Sequence, residues 1–337
     1  MFQNQASAME KDSRIYVAGH KGLVGSAIVR TLLNRGFHNI IGKTHGELDL
    51  TNQTLVRDFF RTEKPEYVFM AAAKVGGIAA NSANPADFIM ENELIQCHIF
   101  QGAWETGVKK LMFFGSSCMY PRLCPQPAKE EYLLTGPLEP TNEAYALAKI
   151  SGVKMCQYFN TQYGTGYISV IPSNLYGPYD NFDPAGSHVI PALIRKMHLA
   201  KTQNEPEVEV WGTGAAIRDF LYVDDMVDAC LFLMGNYEGN EPVNIGTGMG
   251  ISIKELAEKI KQVTGYAGEL RFDFSKPDGA PVRVLDASRL AQTGWRCQVG
   301  LAEGLRLTYE YFRAGTDLRS RGQKGREATA FDCVKRR

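Results

Sequence analysis

Arg14-Ile15-Tyr16-Val17-Ala18-Gly19-His20-Lys21-Gly22-Leu23-Val24-Gly25 reads as a β-rich run, a glycine turn, and the opening of a helical pattern lasting to residue 34. Glycine allows the tight turn, lets backbone N–H groups approach a pyrophosphate, and lets the helix pack on the strand. Three glycines alone are ordinary turn punctuation. Set between strand and helix, they point to a dinucleotide bound along Gly19, His20, Lys21, Gly22, Leu23, Val24 and Gly25.

The alternation continues downstream. Residues 39–42, 67–72, 110–114 and 167–171 are further strand candidates, and residues 55–62, 86–105 and 142–163 carry helical patterns. Apolar strands separated by helices indicate a parallel sheet covered on both faces, the doubly wound, Rossmann-type α/β class. From Leu175 the chain turns to Gly/Pro/Asn-rich loops and shorter elements, which suggests a smaller C-terminal α/β substrate lobe. The expected division is a nucleotide domain over 13–174, completed by about 219–248, and a lobe over 175–218 and 249–315. Residues 1–12 and the basic stretch 318–337, with few apolar anchors, are expected to be disordered tails.

Composition narrows the partners. The 337 residues include 37 Lys plus Arg and 37 Asp plus Glu, so formal net charge is zero and nothing favours a nucleic-acid or membrane partner. The apolar-looking stretch 67–80 is broken by Lys74 and is too short for a membrane span. Seven cysteines without a CxxC pair, and six histidines without HExxH, give no reason to expect a metal. Residues 1–12 show no secretory apolar region, and a reducing, cytoplasmic location is expected.

An acidic residue after the second strand would bind a ribose 2′-hydroxyl; here the chain offers Lys43-Thr44-His45, with Lys21 in the glycine loop. Cations there suit a 2′-phosphate, so NADP(H) is the expected cofactor. Lys21 and Lys43 could equally be solvated surface groups. Asp49, followed by Leu50, could face the adenine or cap the helix beginning near Thr51. Tyr145-Ala146-Leu147-Ala148-Lys149 puts a phenol and an ammonium on one helical face, where the cation is expected to lower the tyrosine pKa. Ser116, at the end of the fourth strand, can bond the same substrate oxygen.

The glycine loop, Ser116 and the Tyr145/Lys149 pair resemble the extended short-chain dehydrogenase/reductase family. Longer segments narrow the resemblance to its GDP-L-fucose synthase branch: residues 71–78 (AAAKVGGI), 115–121 (GSSCMYP), 138–142 (LEPTN), 174–178 (NLYGP), 187–191 (SHVIP) and 276–279 (KPDG). The similarity covers about residues 13–315. It implies catalytic roles for Tyr145, Lys149, Ser116, Cys118 and His188. It adds Ser117, Pro172, Asn174, Leu175, His188, His45, Asp49, Leu50 and Lys149 to the cofactor site. Asn174, Lys196, Trp211, Arg218 and Asp278 match substrate-binding positions, where two cations could neutralise a diphosphate and Asp278 could accept sugar hydroxyls. The family usually has arginines where Lys21 and His45 stand.

The implied reaction is NADPH-dependent 3,5-epimerisation and 4-reduction of GDP-4-keto-6-deoxy-D-mannose, with Cys118 and His188 exchanging protons at C3 and C5. Related dehydratases carry a carboxylate at the position of Cys118, whose absence here argues against loss of water. Taken singly, Cys118 and His188 could be a buried strand-end thiol and a hydrogen-bonded loop imidazole. The alternatives are a reductase for a related GDP-4-keto sugar of heptose or colitose type, and a cofactor-sensing regulator on the same fold. The family pairs its two long helices between subunits, so a homodimer is expected.

Overall fold

The computed structural model describes residues 9–183 and 186–320, with side chains described through residue 315. The chain runs β1 (Ile15–Ala18), α1 (Leu23–Asn34), β2 (Ile40–Ile41), α2 (Gln53–Glu63), β3 (Tyr67–Met70), α3 (Ile78–Ala83), α4 (Pro85–Glu105) and β4 (Lys110–Phe114). It continues through α5 (Glu143–Tyr163), β5 (Tyr167–Pro172), β6 (Asn174–Tyr176), α6 (Val189–Gln203), β7 (Glu207–Trp211) and β8 (Ile217–Arg218). Then follow β9 (Phe220–Tyr222), α7 (Val223–Asn236), β10 (Val243–Ile245), β11 (Ile251–Ser252), α8 (Ile253–Thr264), β12 (Glu269–Asp273), β13 (Val282–Arg283), α9 (Ser288–Ala291) and α10 (Leu301–Ser320).

A six-stranded sheet in the order β10-β5-β4-β3-β1-β2 forms the first body, and every pairing in it is parallel. Its strands are mainly apolar because each has two faces to bury. In β1, Ile15 and Val17 join one core with α1 and α7, while Tyr16 and Ala18 join the other with α2, α4 and α5. Period-two alternation thus feeds two cores from one strand. The strand order reverses between β1 and β3, and ligands of such sheets bind in the crevice beyond that point. Gly164, at φ 67°, closes α5 in the left-handed conformation that glycine tolerates.

A third core, including Ile190, Leu193, Ile194, Met197, Leu256, Ile260 and Leu305, packs α6, α8 and α10 with the short strands of the carboxyl half. The segment after β13, expected with this lobe, returns instead to the large sheet. Leu285 lies in the α2/α4/α5 core and Leu290 in the α1/α7 core. The buried Asn244 side chain holds it there, donating to Ala128 O at 2.9 Å and Asp286 O at 3.0 Å.

The amino-terminal expectation also changes. Met9 packs on the α1/α7 core, and Lys11 Nζ donates to Arg35 O at 2.6 Å while lying 4.2 Å from the Phe37 ring centroid. Residues 9–12 are therefore anchored, and residues 318–320, also expected in a tail, belong to α10; the rest of the expected tails, 1–8 and 321–337, lies outside the described residues. Among the described residues no helix is long and apolar enough to cross a membrane.

Candidate active site

Two of the three loop glycines are required by the protein itself. Gly19 sits at φ +78°, and a Cβ there would come within 2.8 Å of Ala72 N. A Cβ at Gly25 would overlap the Gly19 carbonyl oxygen. Gly22 differs: a Cβ there would have 3.5 Å to its nearest neighbour, and no side chain caps α1, which starts just after it. An uncapped helix start with open space above it fits an anionic pyrophosphate. Leu23 and Val24 anchor the helix in the core, and the His20 ring is buried where a Cβ on Gly42 would lie. Gly25→Ala is expected to cost about 1–3 kcal/mol by overpacking and to abolish nucleotide binding; calorimetric melting with and without NADPH measures both.

Beyond β2 lie the charged candidates. Lys21 is exposed, Lys43 Nζ is 3.7 Å from Glu63 Oε1, and the exposed His45 is 3.9 Å from Asp49. Asp49 accepts from Thr51 N at 2.9 Å and Thr51 Oγ1 at 2.7 Å, and these bonds hold its carboxyl below the usual range. It does not cap α2. Asn52 does, accepting from Leu55 N at 3.2 Å. Leu50 packs on the core beside it.

Ser116, Cys118, Tyr145 and Lys149 converge from the end of β4 and from α5. Ser116 Oγ accepts from Cys118 N at 3.3 Å and so shapes the tight turn Ser117–Met119, in which Ser117 is buried. Tyr145 bonds the Ser116 hydroxyl and feels the Cys118 sulfur, while the Phe88 ring meets it edge-on at 6.4 Å. Lys149 is buried, donates to Phe114 O at 2.9 Å, and lies 5.8 Å from the Tyr145 ring centroid. His188 immediately precedes α6; it remains accessible to solvent, yet the protein around it disfavours the imidazolium and lowers its pKa.

The expected depression of the tyrosine is absent. Burial raises the Tyr145 pKa, the Cys118 charge adds to the rise, and only the Ser116 bond opposes it. The i,i+4 spacing does bring the lysine alongside, but desolvation brings Lys149 itself down to about 8. Lys149 is therefore cationic below about pH 8 and increasingly neutral above it. Reduction that needs the cation should decline as pH rises through about 8. Lys149→Arg, which cannot lose its proton in that range, should lack this limb in a pH–rate profile even at a reduced rate.

On the other wall, Pro172 ends β5 while Asn174 and Leu175 lie in β6; Asn174 Nδ2 donates to Asp219 O at 2.9 Å. Trp211 is half exposed, with Lys196 Nζ 5.6 Å and Lys276 Nζ 5.3 Å from its ring centroid. Lys196 also donates to Glu209 O at 3.0 Å, and Arg218 donates to Asp278 O at 3.0 Å. The Asp278 carboxylate takes Thr213 N at 2.9 Å and Thr213 Oγ1 at 2.7 Å. Its first task is thus to hold the Gly212 turn rather than to face a sugar. Arg218 is close enough to Cys118 for their charges to interact, which places the lobe's cation beside the strand-end thiol. Sequence reading did not single out two groups here: Lys276, inside the quoted KPDG, and Asn142, inside LEPTN. Among the described residues no group of three His, Cys, Asp or Glu side chains could hold a metal ion.

Residues 15–246 match the model of the NAD dependent epimerase/dehydratase family. GDP-L-fucose synthase 1 of Arabidopsis thaliana is 55% identical over 91% of this chain and 95% of its own. GDP-L-fucose synthase of Escherichia coli K12 is 50% identical over 90% and 98% respectively. Among solved structures, a GDP-mannoheptose C4 reductase from Campylobacter jejuni with NADP bound superposes with a TM-score of 0.84 at 42% identity, covering 91% of this chain and all of that one. A glycine cradle at an uncapped helix, a Ser–Tyr–Lys cluster and full-length similarity to these enzymes agree: the chain belongs to the NAD dependent epimerase/dehydratase family, alongside the GDP-L-fucose synthases.

Proposed function

We propose that the protein converts GDP-4-keto-6-deoxy-D-mannose to GDP-L-fucose, by 3,5-epimerisation and NADPH-dependent 4-reduction. The observation that carries this reading is the convergence of Ser116, Cys118 and Tyr145 at one point, with Lys149 behind them. A 4-keto sugar needs both acid–base exchange beside its carbonyl and a proton on its carbonyl oxygen, and this cluster holds groups for each.

The cradle at Gly22 and the start of α1 fits the pyrophosphate, while Lys21 and Lys43 supply cations for a 2′-phosphate and the His45 ring can donate a hydrogen bond to it. When bound, NADPH supplies the hydride that reduces C4. Cys118 removes protons from C3 and C5 in turn: each C–H electron pair becomes a double bond to C4 as the carbonyl π pair moves onto the C4 oxygen, and the proton passes to sulfur. The neutral His188 ring has one donor and one acceptor nitrogen, so it can take a proton from water on the acceptor nitrogen as it returns its N–H proton to the carbon from the opposite face, ending neutral again. Ser116 and Tyr145 donate hydrogen bonds to the C4 oxyanion, and Tyr145 then gives it the final proton. Arg218 and Lys196 face the diphosphate, and Trp211 packs against a flat group of the nucleotide.

The deciding experiment supplies a panel of GDP-4-keto-6-deoxy sugars with NADPH or NADH and identifies products by NMR. GDP-L-fucose should form, with kcat/KM favouring NADPH. Exclusive use of a heptose substrate would replace this reading with that of a heptose reductase, and no consumption of either nicotinamide would leave the regulator.

The helix pair α4/α5 leaves Leu94, Trp104, Leu147, Tyr158 and Tyr163 exposed. We infer that a second copy covers them, as the family pairs these helices between subunits. Light scattering at micromolar concentration should report a dimer, and a monomer would refute the pairing. Cys118 must act as a free thiol, which suits a reducing compartment such as the cytoplasm.

A further inference from the structure

Asn142 is the residue before α5, the position where asparagine ordinarily accepts a hydrogen bond from the helix's own N–H groups. It makes no such cap. Its Nδ2 faces Cys118 Sγ at 3.2 Å, and its Oδ1 is buried with no protein partner. A capping residue that gives up its cap and leaves a carbonyl unsatisfied loses stability on both counts. Tyr145 and Lys149 follow Asn142 within the first two turns of α5 and share a helical face. The amide thus stands on the edge that carries the reducing groups, while its N–H reaches the sulfur on the β4 turn.

From this geometry we propose that Asn142 is a positioning residue for epimerisation: its amide N–H holds the Cys118 sulfur as a thiolate aimed at the sugar. The proposal rests on the function argued above. An N–H donor beside sulfur favours the state that can accept a proton, as hydrogen bonding to a charged form does generally. The other groups facing the sulfur are the Tyr145 phenol from α5 and the Arg218 guanidinium from β8. Neither is altered by changing Asn142, so the amide's part can be isolated.

Two variants separate positioning from capping. Asn142→Ser and Asn142→Asp both keep side chains that cap helices well, and both remove the N–H donor. Each should melt within a few degrees of the wild type and still bind NADPH. Two rates are then read on the full chain. Deuterium entry at C3 and C5 from D₂O, without NADPH, should slow about 10- to 100-fold, the range of a hydrogen bond to a charged group. Iodoacetamide modification of Cys118 at pH 7, followed by peptide mapping, should slow comparably.

Wild-type alkylation rates in both variants would overturn the proposal and make Asn142 a plain helix terminus. Failure of the underlying reading looks different: no deuterium exchange in the wild type, while alkylation still reports on the Asn142–Cys118 contact.

Discussion

Tyr145→Phe is expected to lower the rate of ketone reduction about 10²- to 10⁴-fold while leaving the melting temperature nearly unchanged. Only the hydroxyl is removed, which bonds the Ser116 side chain. Burial holds the phenol well above its ordinary pKa, so at working pH it is a neutral donor. Giving up the proton leaves a phenolate with the Lys149 ammonium 5.8 Å from the ring centroid. That pairing brings opposite charges together as the proton leaves. It arises only as the phenolate forms, so it stabilises the transition state more than the resting site. Stopped-flow measurement of NADPH oxidation with a keto sugar tests this. A phenylalanine variant with near-normal kcat would mean that another group protonates C4.

Cys118→Ala is expected to abolish deuterium exchange at C3 and C5, a loss of at least about 10²-fold, because alanine has no ionisable group. Cofactor affinity should survive, since the glycine loop and Lys149 are untouched. Slow reduction of the unepimerised ketone should survive as well, because Ser116 and Tyr145 remain in place. NMR of the sugar incubated in D₂O without NADPH reads the exchange directly. Undiminished exchange would return Cys118 to a packing role. No exchange in the wild type, with reduction intact, would make the enzyme a C4-reductase alone.

Much of the architecture was legible in local pattern. The helix expected over residues 23–34 is α1, Leu23–Asn34, and the strand expected over 110–114 is β4, Lys110–Phe114. The four-residue spacing of Tyr145 and Lys149 did place them side by side. Of the two roles left open for Asp49, capping α2 falls to Asn52 instead, because both are good caps and only backbone direction chooses between them.

The sequence by itself determined the doubly wound fold and the residue types gathered for catalysis. Periodicity and turn chemistry act over a few residues, and the backbone's fixed repeat converts spacing directly into a shared face. Tertiary structure alone decided what those residues experience. Tyr145 is raised rather than lowered because burial sums over atoms from β4, α4 and α5 together. The Asp278 carboxylate is taken by Thr213, Leu285 returns to the large sheet, and the Asn142 amide turns to Cys118, each through a partner remote in the chain. Desolvation and hydrogen-bond competition depend on what distant segments bring to a point, and no local pattern encodes that.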